Sequence, residues 1–335
     1  MSELNSIALK ILSDGKGILA ADESTATMTK RLESVSVSST PENRLLFRKT
    51  LFSSKSMSSC IGGVILYDET IKQKISNNKN VPELLNSVNS IPGIKVDTGA
   101  KVLANSLNEK ITEGLDGLRD RLKEYYKLGA RFTKWRGVYN ITKEYPSKLA
   151  IHSNAHSLAR YSALVQECNM VPIVEPEVLM DGKHSAQDCL LKTSEVIKKC
   201  FEELILHKID LTGIILKPNM IWAGSGSDKK IDSNEVAKLT IECLKNSVPS
   251  EVPGIAFLSG GQSEIEATQN LNLINKENTT NFIMSYSYGR ALQQSALKHW
   301  SKNINDVEGT QNIFNHRAKM NTLAAQGKWS KELEN

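Results

Sequence analysis

Lys217 closes the run of residues 212–220, Thr-Gly-Ile-Ile-Leu-Lys-Pro-Asn-Met, and its place suits nucleophilic chemistry. The run reads as a short buried strand, apolar and β-branched, opened by Gly213 and stopped by Pro218. An ammonium at the inner end of such a strand is costly to desolvate, so burial pushes its pKa toward the neutral amine that attacks carbonyls. Taken alone, the same lysine also fits a side chain that lies past the strand and snorkels into water. Glu175 and Glu177 stand two apart, which on a strand puts both carboxylates on one face. They read either as solvated loop acids or as a like-charge pair in which one pKa rises and that group becomes a general acid. Lys134 and Arg136 share the spacing, as do Lys95 and Asp97. Lys134 is the candidate second cation that would depress the pKa of Lys217 further.

Positioning these groups requires elements that converge, and the chain repeats one pattern. Residues 17–21 run into Asp22-Glu23, residues 62–67 into Asp68-Glu69, and residues 92–94 into Lys95-Val96-Asp97. Residues 130–133 lead to Lys134-Trp135-Arg136, residues 171–174 to Glu175-Pro176-Glu177, and residues 212–216 to Lys217. Residues 253–258 run into Ser259-Gly260-Gly261, and residues 282–286 into Ser287-Tyr288-Gly289-Arg290. The ends lie roughly 30–45 residues apart, room for a crossover helix and its loops. Helical patterns over residues 118–126, 158–166, 190–206, 234–245 and 291–300 fill the gaps. Eight strand–helix units predict an α/β fold, a (β/α)8 TIM barrel in a single domain spanning 1–335, with a short polar tail at about 327–335. An open doubly wound sheet is the weaker alternative, because it places a ligand at one strand-order switch and not at nearly every strand end.

The barrel sharpens the glycine-rich ends. Phosphate sites in such barrels lie after strands seven and eight, at backbone N–H groups and a helix N-terminus. Ser259, Gly260, Gly261, Ser287, Gly289 and Arg290 fall there, and Arg290 would add a charge-assisted contact. Ordinary glycine turns are the competing reading.

Composition is compatible. The 335 residues are 40% hydrophobic and carry a formal net charge of +5, with both signs interspersed. That suits an anionic small molecule at a local basic site and gives no basic stripe for nucleic acid. No stretch approaches a membrane span, and the first residues lack the pattern of a signal peptide. The five cysteines form no Cys-x-x-Cys and read as reduced thiols, so the expected location is cytoplasmic and the sequons at Asn140 and Asn278 carry no meaning. His152 and His156, four apart, could face one way as zinc ligands, but the sequence shows no third ligand beside them, so no metal is expected. Residues 224–228, Gly-Ser-Gly-Ser-Asp, lack the Walker spacing and read as a mobile surface loop.

Several segments together resemble class I fructose-1,6-bisphosphate aldolase. They are Leu19-Ala20-Ala21-Asp22-Glu23-Ser24-Thr25, Gly93-Ile94-Lys95-Val96-Asp97, Lys134-Trp135-Arg136, Val174-Glu175-Pro176-Glu177, Leu216-Lys217-Pro218-Asn219-Met220, Phe257-Leu258-Ser259-Gly260-Gly261-Gln262 and Ser287-Tyr288-Gly289-Arg290-Ala291-Leu292. The resemblance runs from about residue 8 to Gln326. It implies a (β/α)8 barrel, a homotetramer, no cofactor and no metal. It implies reversible cleavage of fructose 1,6-bisphosphate to dihydroxyacetone phosphate and glyceraldehyde 3-phosphate in glycolysis and gluconeogenesis.

The roles implied are residue by residue. Lys217 forms the Schiff base with the C2 ketone, Glu175 is the acid/base of carbinolamine dehydration, and Asp22 takes the C4-hydroxyl proton. Lys134 and Glu177 hold these groups in their working states. Ser259, Gly260, Gly261, Ser287, Gly289 and Arg290 bind the C1 phosphate, and Arg31, Lys95 and Arg136 lie chiefly around the second phosphate. Where many relatives carry Gly-Ser after the Asp22 motif, this chain has Ala26-Thr27, with Thr27 keeping the hydroxyl. The segment ending at Asn335 lacks the terminal tyrosine of longer relatives, which resembles the shorter, bacterial-type branch. Alternatives are another Schiff-base aldolase or transaldolase, or a protein-binding scaffold. The first needs no second phosphate site, and a pure scaffold would be free to lose Lys217 and Glu175.

Overall fold

The computed structural model describes residues 2–76, 79–106 and 108–335. Eight strands form a closed barrel: β1 (Gly17–Ala21), β2 (Ile61–Leu66), β3 (Ile91–Lys95), β4 (Phe132–Tyr139), β5 (Val171–Val178), β6 (Ile215–Leu216), β7 (Gly254–Phe257) and β8 (Ile283–Tyr288). Every neighbouring pair is parallel, and β1 closes the ring on β8 with Ile18 opposite Ser287. The expected helices are present as Leu118–Lys127, Lys148–Glu167, Ala186–Leu206, Ser233–Ser247 and Arg290–Trp300. Most begin at a side-chain cap that satisfies an otherwise free N–H, such as Ser147 accepting from Ala150 and Ser185 in a capping box with Asp188.

Strand alternation divides the core in two. Between strands and helices lies the larger apolar layer, which includes Leu19, Val64, Ile94, Trp135, Val174, Leu216 and Phe257. Inside the barrel lie Ile18, Ile65, Phe132, Val171, Ile173, Ile215 and Ala256, with Ala8, Ile11 and Leu12 of the helix Glu3–Leu12. This helix plugs the end of the barrel where the strands begin. A Cβ on Gly62 would stand 1.9 Å from the carbonyl oxygen of Ile11, and one on Gly254 would stand 2.3 Å from Leu12. The interior is therefore apolar at that end, which leaves the other end for the charged residues.

Four details differ from the sequence reading. β4 and β5 continue through Lys134, Arg136, Glu175 and Glu177 and do not stop before them. By contrast β6 has only two residues, and Gly213 lies in a 3-10 turn, Leu211–Gly213, that the Asp210 carboxylate caps by accepting from the Thr212 N–H and hydroxyl. The loop at 224–226 is tied down: its N–H groups donate to the carbonyls of His184, Met180 and Gly182 at 2.7–2.9 Å, and Lys230 donates to its carbonyls. The polar end is docked as well. Trp329 is buried, and the Glu334 carboxylate takes the Trp329 indole N–H and pairs with Arg317.

Packing in the barrel interior is tight around Phe132. A Cβ on Gly93 would meet its ring at 2.3 Å. Gly93→Ala should therefore cost about 1–3 kcal/mol by overpacking, measured by urea unfolding. Adding Phe132→Leu should recover part of that loss, whereas uncoupled sites would sum their costs.

Candidate active site

Period-two alternation turns Lys95, Lys134, Arg136, Glu175 and Glu177 inward at the open end of the barrel. Register sets them side by side: Lys95 lies opposite Lys134, and Arg136 opposite Glu175. The Lys217 N–H donates to the Val174 carbonyl at 2.8 Å, so Lys217 extends the ladder one step past β6 and stands beside Glu175. Asn219 braces this turn, since its side chain accepts from the Val178 N–H at 3.0 Å and donates to Thr193 at 3.2 Å. Asp22 follows β1, whose last turn is held by Gln293 donating to the Ala20 carbonyl at 2.8 Å.

The charged groups form one connected cluster. Lys217 Nζ is 2.9 Å from Glu175 Oε1, and Lys134 Nζ is 3.3 Å from Glu175 Oε2. Lys134 also meets Asp22 at 2.8 Å and Asp97 at 3.9 Å. Lys95 is 3.4 Å from Asp97, and Arg136 pairs with Glu177. Burial raises the pKa of Asp22, but Lys134, Lys217 and Lys95 outweigh it and bring the group down to about 2. Glu175 is likewise pushed up by burial and pulled further down by Lys217, Lys134 and Arg136. Lys134 is disfavoured as a cation by burial, yet Asp22, Glu175 and Asp97 raise its pKa above the ordinary lysine value.

A cavity of about 1450 Å³ opens over this cluster, and every site residue named from the sequence lines it. On the β7–β8 side, Gly260 and Gly261 both adopt positive φ, +56° and +86°, and present a turn of exposed backbone. Gly289 caps the helix Arg290–Trp300 without a side chain, so the first N–H groups of that helix stay free for an anion. Ser287 adds a buried hydroxyl that has no protein partner. From the helix Thr25–Glu33 after β1, Arg31 pairs with Glu23, and its Nε and Nη2 have no protein acceptor. Thr27 sits one turn earlier, its hydroxyl 3.1 Å from that of Ser24. Both donor sets and the lysine–carboxylate cluster thus line one cavity.

Glu175 is not a carboxyl raised by its neighbour in sequence. A like-charge pair with Glu177 would raise one carboxyl, yet Glu175 is lowered, because the cations reach it from β4 and β6 while Glu177 is occupied by Arg136. Asp97 belongs to the site and shares its i, i+2 signal with Lys95, though the reading of the chain gave it no role. Arg48 and Glu23 gave no local signal. Arg48 comes from the helix Pro41–Phe52, is buried, and donates to the Glu23 carbonyl at 3.0 Å. His152 and His156 do have further neighbours: Glu203 and His207 reach them from the helix Ala186–Leu206 and its C-cap, about fifty residues on, which no short spacing reveals.

Known proteins resemble this chain along almost its whole length. The family described as fructose-bisphosphate aldolase class-I matches residues 3–335. A probable fructose-bisphosphate aldolase class 1 of Xanthomonas campestris pv. campestris is 46% identical over 330 residues, covering 98% of this chain and 99% of the relative. The cytosolic fructose-bisphosphate aldolase 6 of Arabidopsis thaliana is 48% identical over 326 residues, covering 97% and 91%. A crystal structure of Plasmodium falciparum fructose-bisphosphate aldolase, in complex with TRAP and a small-molecule inhibitor, superposes with a TM-score of 0.96 at 44% identity, covering 98% of this chain and 95% of that one.

The depressed carboxylates link stability to acid. Asp22 sits at about 2 when folded, below roughly 3.9 for an unfolded aspartate. Its contribution is therefore present above pH ~4 and fades as pH falls through the folded value. Asp22→Asn should cost roughly 2–3 kcal/mol at neutral pH, and the gap to the parent should close on acidification toward pH ~2 in urea unfolding. A gap that stays constant with pH would contradict the assignment.

Proposed function

The chain belongs to the class I fructose-bisphosphate aldolase family, and from that premise we propose that Lys217 is the amine that carries the sugar phosphate through cleavage. The reaction splits fructose 1,6-bisphosphate reversibly into dihydroxyacetone phosphate and glyceraldehyde 3-phosphate. The observation that supports Lys217 most strongly is the Glu175 carboxylate, held between Lys217 at 2.9 Å and Lys134 at 3.3 Å.

Lys217 must be neutral to attack the C2 ketone, and Glu175 lies within proton-transfer distance of its Nζ. Glu175, once protonated, can return the proton to the leaving hydroxyl of the carbinolamine. Its contact with Lys134 keeps it in place while Lys217 changes partners. The resulting protonated imine is an electron sink, so the electrons of the C3–C4 bond flow into it and leave an enamine. The C4 hydroxyl proton passes to Asp22 as that bond breaks. In the free site Asp22 is ionised but weakly basic, because three lysines stabilise its charge. A substrate phosphate on Lys95 takes over part of that charge, and exclusion of water adds to the effect. Both raise the proton affinity of Asp22 when the base is needed. Lys134 and Glu177 act as charged partners that hold Asp22, Glu175 and Arg136 in place.

The C1 phosphate fits the β7–β8 end, at Ser259, Gly260, Gly261, Ser287, Gly289 and Arg290. The second phosphate fits Thr27, Arg31, Lys95 and Arg136 in the same cavity. Two donor sets in one cavity suit a substrate charged at both ends better than a singly charged one. We infer a cytoplasmic homotetramer for the working protein. The Arabidopsis relative named cytosolic supports the location, and no helix among the described residues is long and apolar enough to cross a membrane.

Two measurements check this reading. Borohydride reduction with dihydroxyacetone phosphate should attach the substrate to Lys217, located by peptide mapping, and label at Lys95 or Lys134 instead would sink the assignment. Arg290→Ala should remove a charge-assisted contact of about 1.5–3 kcal/mol, which is about one to two decades in substrate affinity. Its melting temperature should hardly move, since Arg290 is exposed. An unchanged KM for the bisphosphate would count against the C1-phosphate placement.

A further inference from the structure

Away from the barrel mouth, three imidazoles and one carboxylate meet between two outer helices. His152 and His156 stand one turn apart on the helix Lys148–Glu167. Glu203 and His207 stand one turn apart at the end of the helix Ala186–Leu206, with His207 as its C-cap. The two helices pack on each other, and the cluster lies in their seam. His152 Nδ1 is 3.3 Å from Glu203 Oε1, and His156 Nδ1 is 3.1 Å from Oε2. Ligand atoms of His156, Glu203 and His207 all fall within 4.8 Å of one another. None of the four residues lines the catalytic cavity.

We propose that His156, Glu203 and His207, with water as the fourth donor, form a binding site for a divalent ion of the zinc class. Donors at zinc bond lengths on a tetrahedral ion stand roughly 3.3–3.6 Å apart. The His156–Glu203 separation is already close to that. Orientation is set as well. His207 Nδ1 lies 2.8 Å from the Glu203 carbonyl oxygen, an acceptor, so Nδ1 carries the proton and Nε2 keeps a free lone pair. Imidazole donors select zinc, nickel or copper over magnesium, which takes oxygen ligands and keeps its waters.

The balance of burial also fits. The Glu203 side chain is only 4% exposed, while His152 and His156 are 59% and 44% exposed. A buried carboxylate anchors the site and open imidazoles admit the ion. Lys199, 3.5 Å from Glu203 Oε1, is the competing partner. A bound cation replaces it, and Lys199 keeps the Glu202 carboxylate that it already holds at 3.0 Å. The competing account is an ion-pair cluster in which Glu203 is satisfied by Lys199 and the imidazoles alone.

Zinc titration of the full, untagged chain separates the two. After chelator treatment the protein should bind one zinc per chain in calorimetry, and cobalt should give the intense visible bands of a four-coordinate site. Magnesium should not compete. His156→Ala and His207→Ala should each weaken zinc binding by more than about tenfold, the loss that even an outer-shell change produces, and should remove the cobalt bands. Aldol cleavage should continue in both variants, since neither ring touches the cavity. Absence of saturable zinc binding, or binding that survives both substitutions, would overturn the site and leave the ion-pair account.

Discussion

Two lysines share one buried carboxylate, and the rest of the site depends on that arrangement. Glu175 faces Lys217 with one oxygen and Lys134 with the other. Around it, the cations Lys95, Lys134, Arg136 and Lys217 face the carboxylates Asp22, Asp97, Glu175 and Glu177. The numbers match, so ions can sit inside a protein without a large net charge. Such a cluster is weak evidence for stability, since each ion loses its water, but removing one member leaves its partner uncompensated and costs more than the pair contributes. What it provides is position. Each ammonium is held at a defined distance from the group that will exchange a proton with it.

The barrel makes this possible by dividing its interior along the axis. Small and apolar residues, with Phe132 filling the space beside Gly93, close the end plugged by the helix Glu3–Leu12. Two residues further along the same strands, the inward positions become Lys134 and Glu175. One alternation therefore serves both packing and chemistry, and the register between β4 and β5 fixes which cation meets which carboxylate. The glycines after β7 and β8 then present backbone N–H groups, not side chains, to the end where an anion fits.

Much of this was legible because it is local. The repeated apolar run with a polar end gave the barrel, and the i, i+2 charge pairs gave the inward face. Relations carried by packing alone were not legible. Arg48 supports Glu23 from a separate helix, and Glu203 and His207 join His152 and His156 only when two helices dock. The surroundings of Glu175 were hidden for the same reason. Its neighbour in sequence is another acid, whereas its neighbours in space are cations from β4 and from the end of β6. Gly213 looked like the start of a strand because turn and strand share glycine as a boundary, and the capping by Asp210 decides between them.

The central claim is that Glu175 moves the proton that Lys217 must lose and the carbinolamine must gain. The direct test is the rate of imine formation with dihydroxyacetone phosphate, followed by rapid-quench borohydride trapping in the parent and in Glu175→Gln. The shape of the side chain is kept while its proton chemistry is removed. The rate should fall by about 10²–10⁴-fold, the usual contribution of a positioned acid/base, while affinity for inorganic phosphate stays the same. Imine formation at the parental rate in Glu175→Gln would contradict the account.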